Sequence, residues 1–173
     1  SKQEPMERLL TGDVGFGKTE IALRAALRVL LNGKQVALVA PTTVLADQHT
    51  ELFKKRFEKL PIRIERLTRL EPKKKIRDTR VNTEKGIVDF VIGTHRLLQK
   101  DIAFKNLGLL IIDEEQRFGV RHKEFLKEKY PNVDILSLSA TPIPRTLAFS
   151  LAGIRPVSQL KEAPSGRMAP LTY

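Results

Sequence analysis

Apolar residues in this chain come as short, nearly continuous runs. Arg8 to Thr11, Gln35 to Ala40, Val88 to Ile92, Leu109 to Ile112 and Asp134 to Leu138 are rich in Val, Ile and Leu and bounded by turn residues, the pattern of strands buried on both faces of a parallel sheet. Ile62 to Arg66 alternates instead, as a strand with one covered face should. Between the runs, apolar residues recur at helical spacing. Lys18 to Leu31 predicts a helix stopped by Asn32-Gly33. Another opens after Pro41-Thr42-Thr43, with Leu45, Leu52, Phe53 and Phe57 on one face and Asp47, Lys54, Lys55 and Arg56 mostly outside it. Glu71-Pro72 starts a polar helix with a thin apolar stripe, Pro being tolerated in a first turn. Thr141-Pro142-Ile143-Pro144 leads into a last helix, to about Leu151. Strand and helix in alternation predict an α/β fold with a mostly parallel central sheet between helical layers. Past Gly153 the periodicity fades into a stretch holding Pro156, Pro164, Ser165, Gly166 and Pro170. Residues 1–153 are therefore expected to fold as one unit and 154–173 to form an exit linker.

Composition narrows the partners. A chain of 173 residues with 41% hydrophobic content suits one domain with one core. A net charge of +11 and a pI near 10.1 favour a polyanion, because each phosphate neutralised by Lys or Arg releases condensed counterions. A basic surface can equally be a solvated face. The absence of cysteine excludes disulfides, a thiol nucleophile and a Cys-rich zinc site. No apolar run is long enough to span a membrane, and the start Ser-Lys-Gln-Glu-Pro lacks a signal-peptide pattern. The expectation is a cytoplasmic chain with no membrane partner.

Candidate chemistry sits where the predicted strands end. Gly12-Asp13-Val14-Gly15-Phe16-Gly17-Lys18-Thr19 fits G-x-x-x-x-G-K-[ST] between a predicted strand and a predicted helix, the context that motif requires. In such a loop, backbone N–H groups from about Gly15 to Thr19 turn inward and the helix N-terminus adds partial positive charge. Lys18 is expected to reach the β- and γ-phosphates of ATP, and the Thr19 hydroxyl to ligate Mg2+. The bland alternative is a Gly-rich turn with an incidental lysine. Leu109 to Ile112 runs into Asp113 and Glu114, where one acid can hold magnesium through water and the other can orient and deprotonate an attacking water. Alone, such a pair is as readily a helix cap or a solvated turn. The phosphate loop reverses that preference. Open parallel sheets bind ligands at the C-terminal edge of their strands, where all these motifs are placed.

Asp113-Glu114-Glu115-Gln116, Ser139-Ala140-Thr141, Pro41-Thr42-Thr43 and Gly93-Thr94-His95-Arg96 occur in the order seen in the first RecA-like lobe of superfamily 2 helicases and translocases. The strings GDVGFGKTE, PTTVLADQH, IGTHRLLQKD, IIDEEQRFGVRHKE and LSATPIPRTL resemble the transcription-repair coupling factors, motors that act on RNA polymerase stalled at DNA damage. The similarity runs from about Met6 to Gly153. RecG helicases share GDVG and TPIPRT but usually carry Ser at the position of Phe16 and DEQH for DEEQ, so Phe16, Glu20 and Glu115-Gln116 favour the coupling factors.

The resemblance implies a three-layer RecA-like P-loop domain that binds ATP through Gly12, Asp13, Val14, Gly15, Phe16, Gly17, Lys18, Thr19 and Glu20. It assigns Mg2+ to Thr19 and Asp113, and catalysis to Glu114, Lys18 and Gln116. It implies that Ser139 and Thr141 couple nucleotide state to DNA grip, although a helix cap before Pro142 would also suit them. Thr42, Thr43, Thr94, His95 and Arg96 would hold the DNA backbone, contacts that position a protein without reading sequence. Thr68-Arg69-Leu70-Glu71 departs from the family's Ser-Arg-Phe pattern, which leaves Arg69 in doubt. His49 lies near the buried stripe of its helix and is given no function. Lys54-Lys55-Arg56 and Lys73-Lys74-Lys75 match no family motif and read as solvated faces. With 6% aromatic residues and no Trp, no stacking platform for single strands is evident, which suits double-stranded DNA.

Nothing in the chain matches the second lobe that closes such an ATP site with arginines, and the adenine-recognising segment expected upstream is not seen. An arginine finger is worth on the order of 10³ to 10⁵ in rate, so this lobe alone is expected to hydrolyse ATP negligibly. The expected whole is a longer protein whose other domains carry the second motor lobe and contact RNA polymerase and repair proteins. The alternatives are the corresponding lobe of a RecG-type helicase, a nucleotide- or DNA-binding module without turnover, and a P-loop ATPase acting on protein.

Overall fold

The computed structural model describes residues 5–11, 17–139 and 157–159. Their strands form one sheet in the order β3-β4-β2-β5-β6-β1-β7, with every neighbouring pair parallel. In chain order the elements are β1 (Glu7–Thr11), α1 (Lys18–Leu31), β2 (Gln35–Val39), α2 (Thr43–Arg56), β3 (Ile64–Leu67), α3 (Lys73–Glu84), β4 (Phe90–Gly93), β5 (Leu107–Ile112), α4 (Val120–Lys129), β6 (Asp134–Ser139) and β7 (Val157–Gln159). Short 3₁₀ turns follow β4 at His95–Leu98 and β5 at Glu115–Arg117.

The continuous apolar runs are explained by burial on both faces. In β2, Val36 and Leu38 join the core beneath α1 and α2, while Ala37 and Val39 join the core on the opposite face. In β5, Leu109 and Ile111 face the first core and Leu110 and Ile112 the second. The first core centres on Phe53, fully buried and packed edge-on against Phe90 at 4.9 Å and Phe57 at 5.7 Å between ring centroids. One buried polar side chain belongs to the architecture. Gln35 donates from Nε2 to the carbonyls of Thr83 (2.9 Å) and Val88 (2.7 Å), and its Oε1 accepts from the Asn106 amide (2.8 Å). It thereby ties the end of α3 to the segments entering β4 and β5.

Two elements depart from the sequence expectation. The charged segment Val120–Lys129 is helical although its described face toward the core offers little beyond Leu126 and a partly buried Phe125. So thin an apolar stripe leaves no periodic signal. Within the segment expected to be a plain linker from residue 154, Val157–Gln159 forms β7 and pairs with β1 through Leu9, Leu10 and Thr11. A three-residue edge strand is too short to show a pattern of its own. The helix expected up to Leu151 lies outside the described residues. No helix among the described residues is long and apolar enough to cross a membrane.

Candidate functional site

Parallel pairing brings the expected motifs to one edge of the sheet. Thr11 at the end of β1 is in register with Ser139 at the end of β6, and Ile112 of β5 lies opposite Ser137. Gly12, Asp13, Val14, Gly15 and Phe16 lie outside the described residues, as does Thr141. Gly17, at φ 50° and ψ −38°, has a positive-φ backbone that favours glycine. Its carbonyl accepts from the Ile21 amide at 2.9 Å, which starts α1 and puts Lys18, Thr19 and Glu20 in the first turn. Lys18 is buried, and its Nζ donates to the Ser139 carbonyl at 3.2 Å.

From Ser139 a hydrogen-bonded path leads back to the acids after β5. The Ser139 hydroxyl donates to Gln116 Oε1 at 3.0 Å, and Gln116 Nε2 donates to Glu114 Oε2. Glu114 itself is left-handed, at φ 54° and ψ 56°, and is the one non-glycine with positive φ among the described residues. That conformation costs about 1–2 kcal/mol in a residue with a Cβ. Its carbonyl accepts from the Arg117 amide at 2.9 Å, closing the 3₁₀ turn that carries Gln116. Sequence spacing alone gave no sign of this backbone, which swings the chain sharply as it leaves the sheet.

Asp113 continues the ladder of β5, its amide donating to the Val39 carbonyl at 2.9 Å. Its Oδ2 lies 2.8 Å from Nε2 of His49, with both side chains mostly buried. His49, given no function from sequence, therefore fixes the orientation of the acid expected to hold the metal. The signal available was a polar ring one helical turn before Phe53, but the partner lies 64 residues away. Glu20 is engaged by Arg56, at 2.6 and 3.3 Å, in a pairing that joins the start of α1 to the end of α2. The hydrogen bond from Arg56 holds the Glu20 carboxyl below its usual range.

Beside these groups, a cleft of about 400 Å³ is lined by Pro41, Thr42, Thr43, Arg69, Thr94, His95, Arg96 and Gln99. All five residues expected to grip DNA are thus brought together, and Arg69 joins them. Thr42 caps α2, its Oγ1 accepting from the Leu45 amide at 3.1 Å. The chain leaves β4 through Gly93, where a Cβ would stand 2.0 Å from the Leu67 carbonyl oxygen, so only glycine allows β3 and β4 to approach this closely. Arg69 is placed by the turn after β3. The Glu71 amide donates to the Thr68 carbonyl at 3.2 Å, and the nearly buried Glu71 carboxylate receives Arg66, which also pairs with Asp47 of α2. Tertiary anchoring of that turn puts Arg69 at the cleft despite the unusual local motif.

One cation of the cleft is held in place by a carboxylate. Arg96 donates through both Nη atoms to Asp101 at 2.8 Å, the planar fork geometry suited to a carboxylate, and holds the Asp101 carboxyl below its usual range. Burial, with His122 nearby, pushes His95 down from its ordinary value. The basic runs lie elsewhere. Lys54, Lys55, Lys73 and Lys74 are exposed, and Lys75 stands 3.5 Å from Glu71.

The DEAD/DEAH box helicase family model matches residues 4–149. The chain is similar to the transcription-repair-coupling factor of Bacillus subtilis (strain 168), at 55% identity over 172 residues, covering 99% of this chain and 15% of that protein. It is 52% identical over 172 residues to the transcription-repair-coupling factor of Staphylococcus haemolyticus (strain JCSC1435), with the same coverage of each chain. Among solved structures it is similar to RecG bound to a three-way DNA junction, with 40% identity and a TM-score of 0.82 over 96% of this chain and 22% of that one. The chain thus spans about 15% of the length of these curated relatives.

Proposed function

Because the chain belongs to the DEAD/DEAH box helicase family, we propose that it is the ATP-binding lobe of a motor that hydrolyses ATP to move along double-stranded DNA in transcription-coupled repair. The observation that carries this reading is the path Lys18–Ser139–Gln116–Glu114 lying at the same sheet edge as the Thr42, Thr94 and Arg96 cleft. Groups able to sense a γ-phosphate and groups able to hold a nucleic-acid backbone then share one scaffold.

The residues present fit a magnesium-bound nucleoside triphosphate. Gly17 stands at positive φ at the head of α1, Lys18 is a buried cation beside it, and Thr19 stands in the first turn. Among the described residues no three His, Asp or Glu side chains gather on one point. Mg2+ would therefore rest on Asp113, Thr19 and the substrate's own phosphates, the usual arrangement for a cation that keeps much of its hydration. When bound, it neutralises charge on the phosphate oxygens. In this chain, His49 orients Asp113 and Lys18 neutralises the terminal phosphate. Glu114 orients the attacking water and takes its proton as water oxygen bonds to the γ-phosphorus and the bond to ADP breaks. Gln116, held between Glu114 and Ser139, registers whether the γ-phosphate is present. Arginines from a second lobe of the same longer protein complete the site, and its other domains meet RNA polymerase and repair proteins in the cytoplasm. The 55% identity to a coupling factor, against 40% to RecG, favours this role over branch migration.

The test is ATP turnover by the full-length protein with and without duplex DNA, followed by displacement of a stalled RNA polymerase. Turnover that DNA accelerates, together with ATP-dependent polymerase release, is the expected result. An ATPase indifferent to duplex DNA would overturn the motor reading. DNA-stimulated turnover with fork regression and no polymerase release would assign the lobe to a RecG-type helicase.

A further inference from the structure

Residues 114–118 have one end in each of the two sites. Glu114 and Gln116 belong to the path that reaches Ser139 and Lys18. Immediately after the 3₁₀ turn, Phe118 lays its ring against His95, with centroids 4.8 Å apart and planes inclined by 24°. His95 lines the cleft between Thr94 and Arg96. His122 of α4 closes the edge of the stack, 5.5 Å from His95 and 6.3 Å from Phe118.

The turn between these ends is stiff. The Arg117 amide donates to the Glu114 carbonyl at 2.9 Å, and the Phe118 amide donates to the Glu115 carbonyl at 3.0 Å. Glu115 is paired with Lys123 of α4, which also lies 3.8 Å from Glu7 of β1. A displacement of Gln116 therefore carries the Phe118 ring with it or breaks the stack. His95 follows, because it begins the 3₁₀ turn after β4 and the Leu97 amide behind it is fixed to the Thr94 carbonyl at 2.9 Å.

We propose that Phe118 is a positioning residue that couples the ATP site to the nucleic-acid cleft through its stack on His95. The proposal rests on reading the lobe as part of an ATP-driven DNA motor. It gives the coupling a defined element with two arrangements, the stack made or broken, which nucleotide at one end and DNA at the other can both bias. A purely structural role remains distinct in its consequences. Phe118 also packs against the second core, and a packing residue would alter stability without separating the two activities.

The experiment compares Phe118→Leu, which keeps apolar bulk and removes the aromatic face, with Phe118→Tyr, which keeps the ring. Both are made in the full-length protein and checked by thermal melting. Basal ATPase, ATPase with saturating duplex DNA, and duplex affinity with a non-hydrolysable ATP analogue and with ADP are measured. Phe118→Leu is expected to leave basal turnover within about twofold and to cut stimulation by DNA roughly two- to tenfold, the range an aromatic pair supports. Phe118→Tyr is expected to retain stimulation. Combining Phe118→Leu with His95→Asn is expected to cost no more stimulation than the worse single change, as residues acting through one contact should. Wild-type stimulation in Phe118→Leu overturns the proposal, as does a parallel fall in basal and stimulated rates or an equal loss in Phe118→Tyr. If the unmodified protein shows no stimulation by DNA, the motor reading itself fails and the coupling falls with it.

Discussion

Glu114 offers a direct test of whether backbone strain serves the candidate site. It is left-handed at φ 54° and ψ 56°, where a Cβ costs about 1–2 kcal/mol and glycine almost nothing. Glu114→Ala and Glu114→Gly both remove the carboxylate and its hydrogen bond from Gln116, so the difference between them isolates the backbone. Glycine's greater freedom in the unfolded chain takes back about 0.4–1 kcal/mol. The Gly variant is therefore expected to be more stable than the Ala variant by roughly 0.5–1 kcal/mol. For a chain of this size that is a melting difference of about 1–4 °C, readable in parallel thermal and urea unfolding. In the full-length protein both variants should lose ATP turnover. A stability difference between two variants that both lack the carboxylate is the signature of backbone strain at this position. An Ala variant as stable as the Gly variant would refute the argument, since it would mean that position 114 is not held left-handed in solution.

Ser139→Ala removes the hydroxyl that meets Gln116 but keeps the carbonyl that meets Lys18 Nζ. It should leave nucleotide affinity within about twofold and lower kcat of the full-length protein roughly two- to tenfold, the worth of one hydrogen bond; nucleotide titration and steady-state ATPase check both, and an unchanged kcat would remove Ser139 from the path. Gln35→Leu strands the buried carbonyl of Val88, while the Thr83 carbonyl keeps the Gly86 amide at 3.1 Å and the amide of the exposed Asn106 turns to solvent. With about 1–3 kcal/mol for a buried group left unpaired, urea unfolding of this chain should show a loss of roughly 1–3 kcal/mol, and a loss below about 0.5 kcal/mol would mean that the Val88 carbonyl finds another partner.

The strands and the order of the motifs were legible in the sequence because a parallel strand covered on both faces must be apolar nearly throughout. The helix expected at Lys18 to Leu31 has those same bounds in the fold, since the G-x-x-x-x-G-K-T spacing at one end and Asn32-Gly33 at the other are local signals. Local chemistry also placed each motif where a strand ends. Other features depended on partners distant in sequence and had no local sign. His49 meets Asp113 across 64 residues, and Lys18 meets Ser139 across 121. Arg69 reaches the cleft because Glu71, Arg66 and Asp47 anchor its turn, and Val157–Gln159 becomes a strand because β1 offers an edge. The left-handed Glu114 is fixed by a turn closed on both sides rather than by any preference of glutamate. By itself the sequence determined the fold class and the chemical inventory, through short-range periodicity and motif spacing. Which side chains touch, and so how the candidate ATP site and the candidate nucleic-acid cleft share one edge, was decided only by the tertiary structure, because sheet register brings together residues that the chain keeps far apart.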